Sequence, residues 1–156
     1  MKHLQTKYFK LLFVDDKFTP KHELFKKLTS CFEKITQSNN IEDSIDFFDD
    51  FDYDIIILNY HLTGSLELIK HVRETKQQIP IILLNNELNK NELLTLLDKN
   101  ISGYIDATLD TEDILISLHD IMVKHAYMME KIGDAYYCFG TKNIIYNNSK
   151  IALSYS

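Results

Sequence analysis

Three acidic or amide side chains stand directly after apolar strand-like segments, in positions where polar groups can do chemistry. Asp15 and Asp16 follow the apolar residues 11–14, and Asn59 follows Ile55–Leu58. Short runs rich in β-branched residues are typical of strands buried on both faces of a parallel sheet. The carboxyl ends of such strands meet at one edge, so the three side chains are expected to converge. The two carboxylates carry negative charge, whereas the amide of Asn59 is uncharged and is a poor nucleophile.

The elements that position these residues alternate between strand and helix from residue 8 to about residue 125, as in βαβ units. The predicted strands are residues 10–14, 34–37, 54–58, 81–84 and 103–106. Polar capping residues mark the helix starts: Thr19 before Pro20, Asn40 with Asp43, Asn89 with Glu92, and Asp110 with Asp113. The sequence therefore predicts an α/β fold, a (βα)5 doubly wound parallel sheet.

Apolar residues at helical spacing predict the buried face of each helix. In the third helix these are Leu66, Ile69 and Val72. In the fourth they are Leu93, Leu96 and Leu97, and Asn100 is predicted to take the left-handed conformation that ends this helix.

Three segments carry a resemblance to a known family. They are Phe13-Val14-Asp15-Asp16, residues 54–62 (Asp-Ile-Ile-Ile-Leu-Asn-Tyr-His-Leu) and Gly103-Tyr104-Ile105. Together they resemble the receiver domain of two-component response regulators. In that family an acidic pair and an acceptor aspartate hold Mg²⁺, and the aspartate takes a phosphoryl group. The resemblance implies that Asp15 and Asp16 are the acidic pair, that Asn59 stands at the acceptor position and that Tyr104 is the switch aromatic.

Three positions depart from the family pattern. Asn59 replaces the acceptor aspartate, and its amide cannot form an acyl phosphate. Asn85 stands where the family has a serine or threonine, and Ala107 stands where it has the lysine of Gly-Tyr-x-x-Lys. The loop at residues 62–66 is about two residues shorter than usual. The resemblance therefore implies an atypical receiver, or pseudo-receiver, which is not an enzyme.

The losses at positions 59 and 107 balance in charge, because one carboxylate and one ammonium are both absent. Two interpretations stay open: a selected amide network, or drift of a site no longer in use. No cofactor is required. Asp15, Asp16 and the backbone carbonyl of His61 can be expected to hold Mg²⁺ weakly at most.

Composition excludes several classes of function. The net charge of −6 and the pI near 5.4 argue against a nucleic-acid surface in these 156 residues. Cys31 and Cys138 fit no metal-ligand spacing and are expected to be thiols, and the six histidines show no such spacing either. Residues 1–7 lack the apolar stretch of a signal peptide, so a cytoplasmic location without a membrane partner is expected.

The pattern changes to a period of two after about residue 125. The predicted organisation is a receiver-like domain at 8–125, a linker at 126–133 and a three-stranded antiparallel meander at 134–156. The meander resembles the first strands of the effector domain in winged-helix, OmpR-like regulators. The chain is therefore expected to be truncated early in that domain, and the nature of any continuation beyond Ser156 stays open.

The expected function is that of an atypical response regulator, acting in signal transduction and transcription regulation without aspartyl phosphorylation. The family implies a homodimer through the face of helix four, strand five and helix five, and DNA contact through a missing downstream effector domain; a histidine kinase partner is left open. Cross-subunit ion pairs around Leu94 or Leu109 are expected from Lys90, Asp98, Lys99, Asp106 and Glu112.

Two alternatives come from different classes. One is a stand-alone protein-interaction module. The other, less favoured because no glycine-rich phosphate loop is present, is a small-ligand-binding flavodoxin-like domain. Its site would be Asp15, Asp16, Asn59 and Asn85.

Overall fold

The structure is a computed structural model. It describes residues 9–17, 23–75 and 78–124, together with the backbone of four further strands at 129–132, 135–138, 143–146 and 149–152. The Thr19–Pro20 helix start predicted from sequence lies outside these residues.

Five strands alternate with five helices in residues 10–124. The strands are β1 Lys10–Val14, β2 Lys34–Ser38, β3 Ile55–Leu58, β4 Ile81–Asn85 and β5 Gly103–Asp106. The helices are α1 Glu23–Thr29, α2 Ile41–Asp50, α3 Ser65–Glu74, α4 Lys90–Leu96 and α5 Thr111–Lys124. All strand pairs are parallel, in the order β2-β1-β3-β4-β5. The predicted fold class is confirmed.

Local capping follows the sequence signals. The Asn40 side chain accepts the backbone N–H of Asp43 at 2.8 Å at the start of α2. Asn89 and Glu92 form a reciprocal capping box at the start of α4. Asn100 has a φ of 55°, so its left-handed conformation is also confirmed.

The sheet is covered on both faces, because successive strand residues point to opposite sides. On one side Phe13, Ile57 and Ile105 pack with buried residues of α1 and α5, among them Leu28 and Leu118. On the other side Leu12, Ile56, Leu58 and Leu83 pack with residues of α2, α3 and α4, namely Ile41, Leu68, Ile69, Val72 and Leu96. The polar residues that end or follow β1, β3 and β4 are thereby positioned by strands whose last four residues are buried.

The buried face of α4 differs from the prediction. Leu96 is buried, but Leu93 is 51% exposed and Leu97 is 77% exposed. In α3, Leu68 is buried where Leu66 was expected to be. Helical spacing identifies an apolar stripe but does not show which part of it meets the sheet. Leu96 is the one buried residue among the seven of α4, and Leu97 lies just beyond the end of the helix.

The C-terminal segment forms a four-stranded antiparallel sheet in the order β6-β7-β8-β9, not a three-stranded one. The extra strand, β6 Met129–Ile132, lies within the segment predicted as a linker. Ile132 pairs with Ala135, which leaves the dipeptide Gly133-Asp134 as the connection. A Gly-Asp pair between strand segments is a hairpin signal, but the residues of β6, Met-Glu-Lys-Ile, do not alternate between apolar and polar and so do not indicate a strand.

Candidate functional site at the carboxyl edge of the sheet

Three polar residues meet at the carboxyl edge of the sheet. Asp15, Asn59 and Asn85 end or follow β1, β3 and β4, which are neighbours in the sheet. Their exposed fractions are 3%, 5% and 1%. We call these three residues the amide cluster. The predicted convergence is confirmed for them, whereas Asp16 is exposed.

Both the nitrogen and the oxygen of the Asn59 side-chain amide form hydrogen bonds. Its Nδ2 donates to Asp15 Oδ1 at 3.2 Å. Its Oδ1 accepts from Asn85 Nδ2 at 2.6 Å and from the backbone N–H of His61 at 3.0 Å. An amide oxygen has two lone pairs, so both are occupied by N–H donors.

Asn85 ties the cluster to neighbouring backbone. Its Oδ1 accepts the N–H of Tyr60 at 2.9 Å, and its backbone carbonyl accepts the N–H of Ala107 at 2.8 Å. An asparagine at this position thus binds position 59 directly and fixes the loop after β3. The buried polar atoms that these bonds join satisfy one another, which is the arrangement that a stable buried polar group requires.

Asp15 is the one charged member of the cluster. Burial raises the pKa of its carboxyl group; the backbone N–H of Lys17 and the side chain of Asn59 partly oppose this by hydrogen bonding, and the nearby Asp16 carboxylate raises the pKa further. The charged neighbour that acts on Asp15 is therefore of like sign. This agrees with the absence of a lysine at position 107, where Ala107 packs against the core.

Tyr104, at the predicted switch position, is 43% exposed. Its hydroxyl lies 3.1 Å from the carbonyl oxygen of Asn85 and 3.0 Å from that of Asn86, to which it donates. Burial raises the pKa of Tyr104, with smaller contributions from Asp106 and Glu87. A hydrogen bond to the β4–α4 loop, rather than core packing, holds this side chain.

The Mg²⁺ site of the family does not fit these residues well. The third ligand position is Asn59 Oδ1, and both of its lone pairs point at N–H donors. Asp15 Oδ1 likewise accepts two N–H groups, from Lys17 and Asn59. In the described part of the chain, no group of three or more His, Cys, Asp or Glu residues is arranged to hold a metal ion. Weak Mg²⁺ binding by Asp15, Asp16 and the His61 carbonyl stays a prediction.

One contact beside the cluster was not foreseen. The His61 imidazole Nε2 lies 3.0 Å from Glu92 Oε2, at the start of α4. Sequence reasoning assigned His61 only a backbone role, although Glu92 had been recognised as a capping residue. The two residues are 31 positions apart, so no local pattern reveals this pair.

A surface cavity of about 270 Å³ lies at the other edge of the sheet, lined by Phe48, Asp49, Asp50, Phe51, Asp52, Tyr53 and Thr75. These residues end α2, precede β3 and follow α3. The cavity is therefore separate from the amide cluster.

Among the described residues, no helix is long and apolar enough to cross a membrane.

Comparison with known proteins gives a consistent fold assignment. No family model matches the chain. The nitrate/nitrite response regulator protein NarL of Escherichia coli K12 is 25% identical over 112 residues, covering 69% of this chain and 52% of that protein. The chain thus spans about half the length of the curated relatives it matches.

Solved structures are similar over more of the chain. The chemotaxis response regulator CheY4 of Vibrio cholerae has a TM-score of 0.63 at 19% identity, covering 72% of this chain and 98% of CheY4. The response regulator DrrB of Thermotoga maritima, an OmpR/PhoB homologue, has a TM-score of 0.62 at 17% identity, covering 94% of this chain and 67% of DrrB. Residues 10–124 of this chain therefore have the fold of a response-regulator receiver domain.

Proposed function

We propose that this chain is the receiver part of an atypical cytoplasmic response regulator, which takes part in signal transduction and transcription regulation without aspartyl phosphorylation and is not an enzyme. One observation supports the proposal most strongly: the Asn59 side chain donates a hydrogen bond to Asp15 and accepts one from Asn85. In the family, a free carboxylate oxygen at this position attacks the phosphorus atom. In this chain the corresponding atom is the amide oxygen of Asn59, which already accepts two N–H hydrogen bonds.

The hydrogen bonds within the amide cluster favour a selected amide network over the drift of a site that is no longer in use. Without the donor of Asn85, Asn59 Oδ1 would keep the His61 backbone N–H but lose its second hydrogen bond, at a cost of about 1 kcal/mol. Asn85 supplies the matching donor at 2.6 Å and uses its own oxygen on the N–H of Tyr60. Two substitutions that satisfy each other in this way are expected of a maintained structure.

The output surface in this proposal is the α4–β5–α5 face, through which two copies associate. Exposed large hydrophobic residues concentrate there: Leu93, Leu94, Leu97, Tyr104, Leu109 and Ile116. Several charges that were expected to form cross-subunit pairs have partners within the chain, since Lys99 pairs with Asp98 and Glu112 pairs with Lys27. Apolar contacts are therefore the main source of dimer stability in this proposal.

DNA binding through a downstream effector domain is the second half of the proposal. The similarity to DrrB covers 94% of this chain, so it extends past Lys124 into the C-terminal sheet. The DNA contact itself would be made by an effector domain that continues from this sheet.

Light scattering with and without beryllofluoride and Mg²⁺ tests the proposal. We expect a dimer at micromolar concentration whose population does not change, because no carboxylate at position 59 can hold the phosphoryl analogue. The Asn59→Asp, Ala107→Lys double variant is the matched control and is expected to respond. A response of the unmodified chain would refute the proposal.

A second candidate function is a stand-alone protein-interaction module, which the same exposed leucines favour. A strict monomer at high concentration would support it over the dimeric regulator. Small-ligand binding at the carboxyl edge is less favoured, because the polar atoms of Asn59 and Asn85 bind one another instead of facing an open pocket.

A further inference from the structure

The side chain of Glu92 joins the loop after β3 to the start of α4. Its Oε2 lies 3.0 Å from His61 Nε2, and the two side chains are 24% and 37% exposed. Its Oε1 accepts the backbone N–H of Asn89 at 2.9 Å, as one half of the capping box. One carboxylate therefore caps the helix and holds the imidazole at the same time.

The other end of this connection is the amide cluster. The backbone N–H of His61 donates to Asn59 Oδ1 at 3.0 Å, on the oxygen that also accepts from Asn85. The position of residue 61 thus depends on the orientation of the Asn59 amide. A continuous set of contacts runs from Asn59 through His61 and Glu92 to Asn89.

Helix α4 is well suited to respond to this connection. It spans seven residues, of which Leu96 alone is buried. A helix this short has little intrinsic stability, so its N-terminal cap contributes a large share of what holds it in place. The same helix carries two of the most exposed apolar side chains, Leu93 and Leu94.

We propose that His61 is a positioning residue that couples the amide of Asn59 to the conformation of α4. This inference rests on the proposed function, in which α4 belongs to the association surface, and it names the contact through which the carboxyl edge controls that surface. A change that reorients the Asn59 amide moves the backbone of residue 61, and the imidazole transmits the movement to Glu92.

Amide hydrogen exchange of the full 156-residue chain, followed by mass spectrometry of peptides covering residues 88–97, tests the coupling. His61→Ala is expected to speed exchange in α4 about threefold, the scale of losing one partly exposed side-chain contact. Exchange in β1 and β3 serves as the internal reference, so that a globally destabilised variant is recognised. Equal α4 exchange in His61→Ala and the unmodified chain would overturn the proposal.

The chain offers a matched control. His71 on α3 pairs with Asp49 on α2 at 2.6 Å, with side-chain exposures of 32% and 47%. His71→Ala removes a histidine–carboxylate pair of the same kind away from the cap of α4. It is expected to leave α4 exchange unchanged, and an equal effect of both variants would contradict a specific role for His61.

A double-mutant cycle of Asn59 and His61 shows whether Asn59 affects α4 through His61 or whether His61 only stabilises α4 locally. Asn59→Ala alone is expected to speed α4 exchange, but to add nothing when His61 is already alanine, because the signal passes through that residue. Additive effects would overturn the proposal. Formation of an aspartyl phosphate by the unmodified chain would instead refute the proposed function and leave the measured coupling intact.

Discussion

At the scale of single residues, the chemistry of the carboxyl edge depends on an amide that both gives and receives hydrogen bonds. Asn59 donates to Asp15 and accepts from Asn85 and from the backbone of His61. A carboxylate at position 59 would keep both acceptor contacts but lose the donation to Asp15. It would also place a second negative charge beside a buried one.

Asn59→Asp is therefore expected to lower the free energy of unfolding by about 1–2 kcal/mol at pH 7 in metal-free buffer. Adding Ala107→Lys should recover most of the loss, because the ammonium supplies the missing counter-charge. Urea unfolding with a chelator present measures both effects, with Ala107→Lys alone as the control. If Asn59→Asp is neutral under these conditions, the charge-balance argument is wrong.

Asp15 carries a pH dependence of its own. Burial raises its folded-state pKa above the unfolded value, so the folded state binds the proton more tightly. The stability contributed by this group is then full at low pH and is lost as pH rises through the folded pKa.

Asp15→Asn keeps an acceptor for Lys17 and Asn59 and removes the charge. We expect it to raise the unfolding free energy by about 1 kcal/mol at pH 7, with the gain disappearing below about pH 4. Asp16→Asn, at an exposed position, is the control and should change stability much less. A loss of stability in Asp15→Asn at neutral pH would show that the carboxylate has a favourable partner.

The convergence of Asp15, Asn59 and Asn85 was predictable because each residue ends or follows a strand of a parallel sheet. Their mutual hydrogen bonds were not. Which amide atom faces which neighbour depends on side-chain torsions and on backbone N–H groups in the loop after β3, at Tyr60 and His61. Neither the side-chain torsions nor the positions of these N–H groups can be predicted from the spacing of residues in the sequence.

At the scale of elements, α4 shows where packing overrides periodicity. The capping residues of α4 were predicted correctly, since a capping box is local in sequence. Its buried face was not, because the orientation of a short helix depends on tertiary contacts.

The exposed leucines of α4 give a direct test of the association surface. Leu94→Gln or Leu97→Gln should weaken the dimer about tenfold while changing the unfolding free energy by less than about 0.5 kcal/mol, because neither side chain is in the core. Sedimentation measures the first effect and urea unfolding the second. Phe51→Gln is the matched control: Phe51 is 51% exposed but lies outside the α4–β5–α5 face. Unchanged association in both leucine variants would place the dimer contacts elsewhere.

The packing of α5 on β5 explains why a glycine stands at position 103. A Cβ added at this position would lie 2.5 Å from Ile121 Cδ1, so the absence of a side chain lets α5 approach the sheet. Gly103→Ala should cost about 1–3 kcal/mol of stability. Ile121→Val in the same chain should restore part of that loss by removing Cδ1. Additive losses in the double variant would show that the two side chains do not compete for space.

At the scale of the whole molecule, the described strands form a five-stranded parallel sheet and a four-stranded antiparallel sheet. Alternation of apolar runs with helical segments was sufficient to predict the parallel sheet. The antiparallel sheet was predicted one strand short, since β6, Met129–Ile132, lacks a clear period of two. Strand pairing between distant residues, rather than local composition, defines such an element.

We propose that this receiver fold takes no phosphoryl group at its carboxyl edge. Intact-mass measurement after incubation with acetyl phosphate and Mg²⁺ tests it most directly, with the Asn59→Asp, Ala107→Lys variant as the positive control. We predict an unchanged mass for the natural chain and a hydroxylamine-sensitive phosphoryl adduct on the control. A stoichiometric, hydroxylamine-sensitive adduct on Asp15, located by peptide mass spectrometry of the natural chain, would contradict the claim.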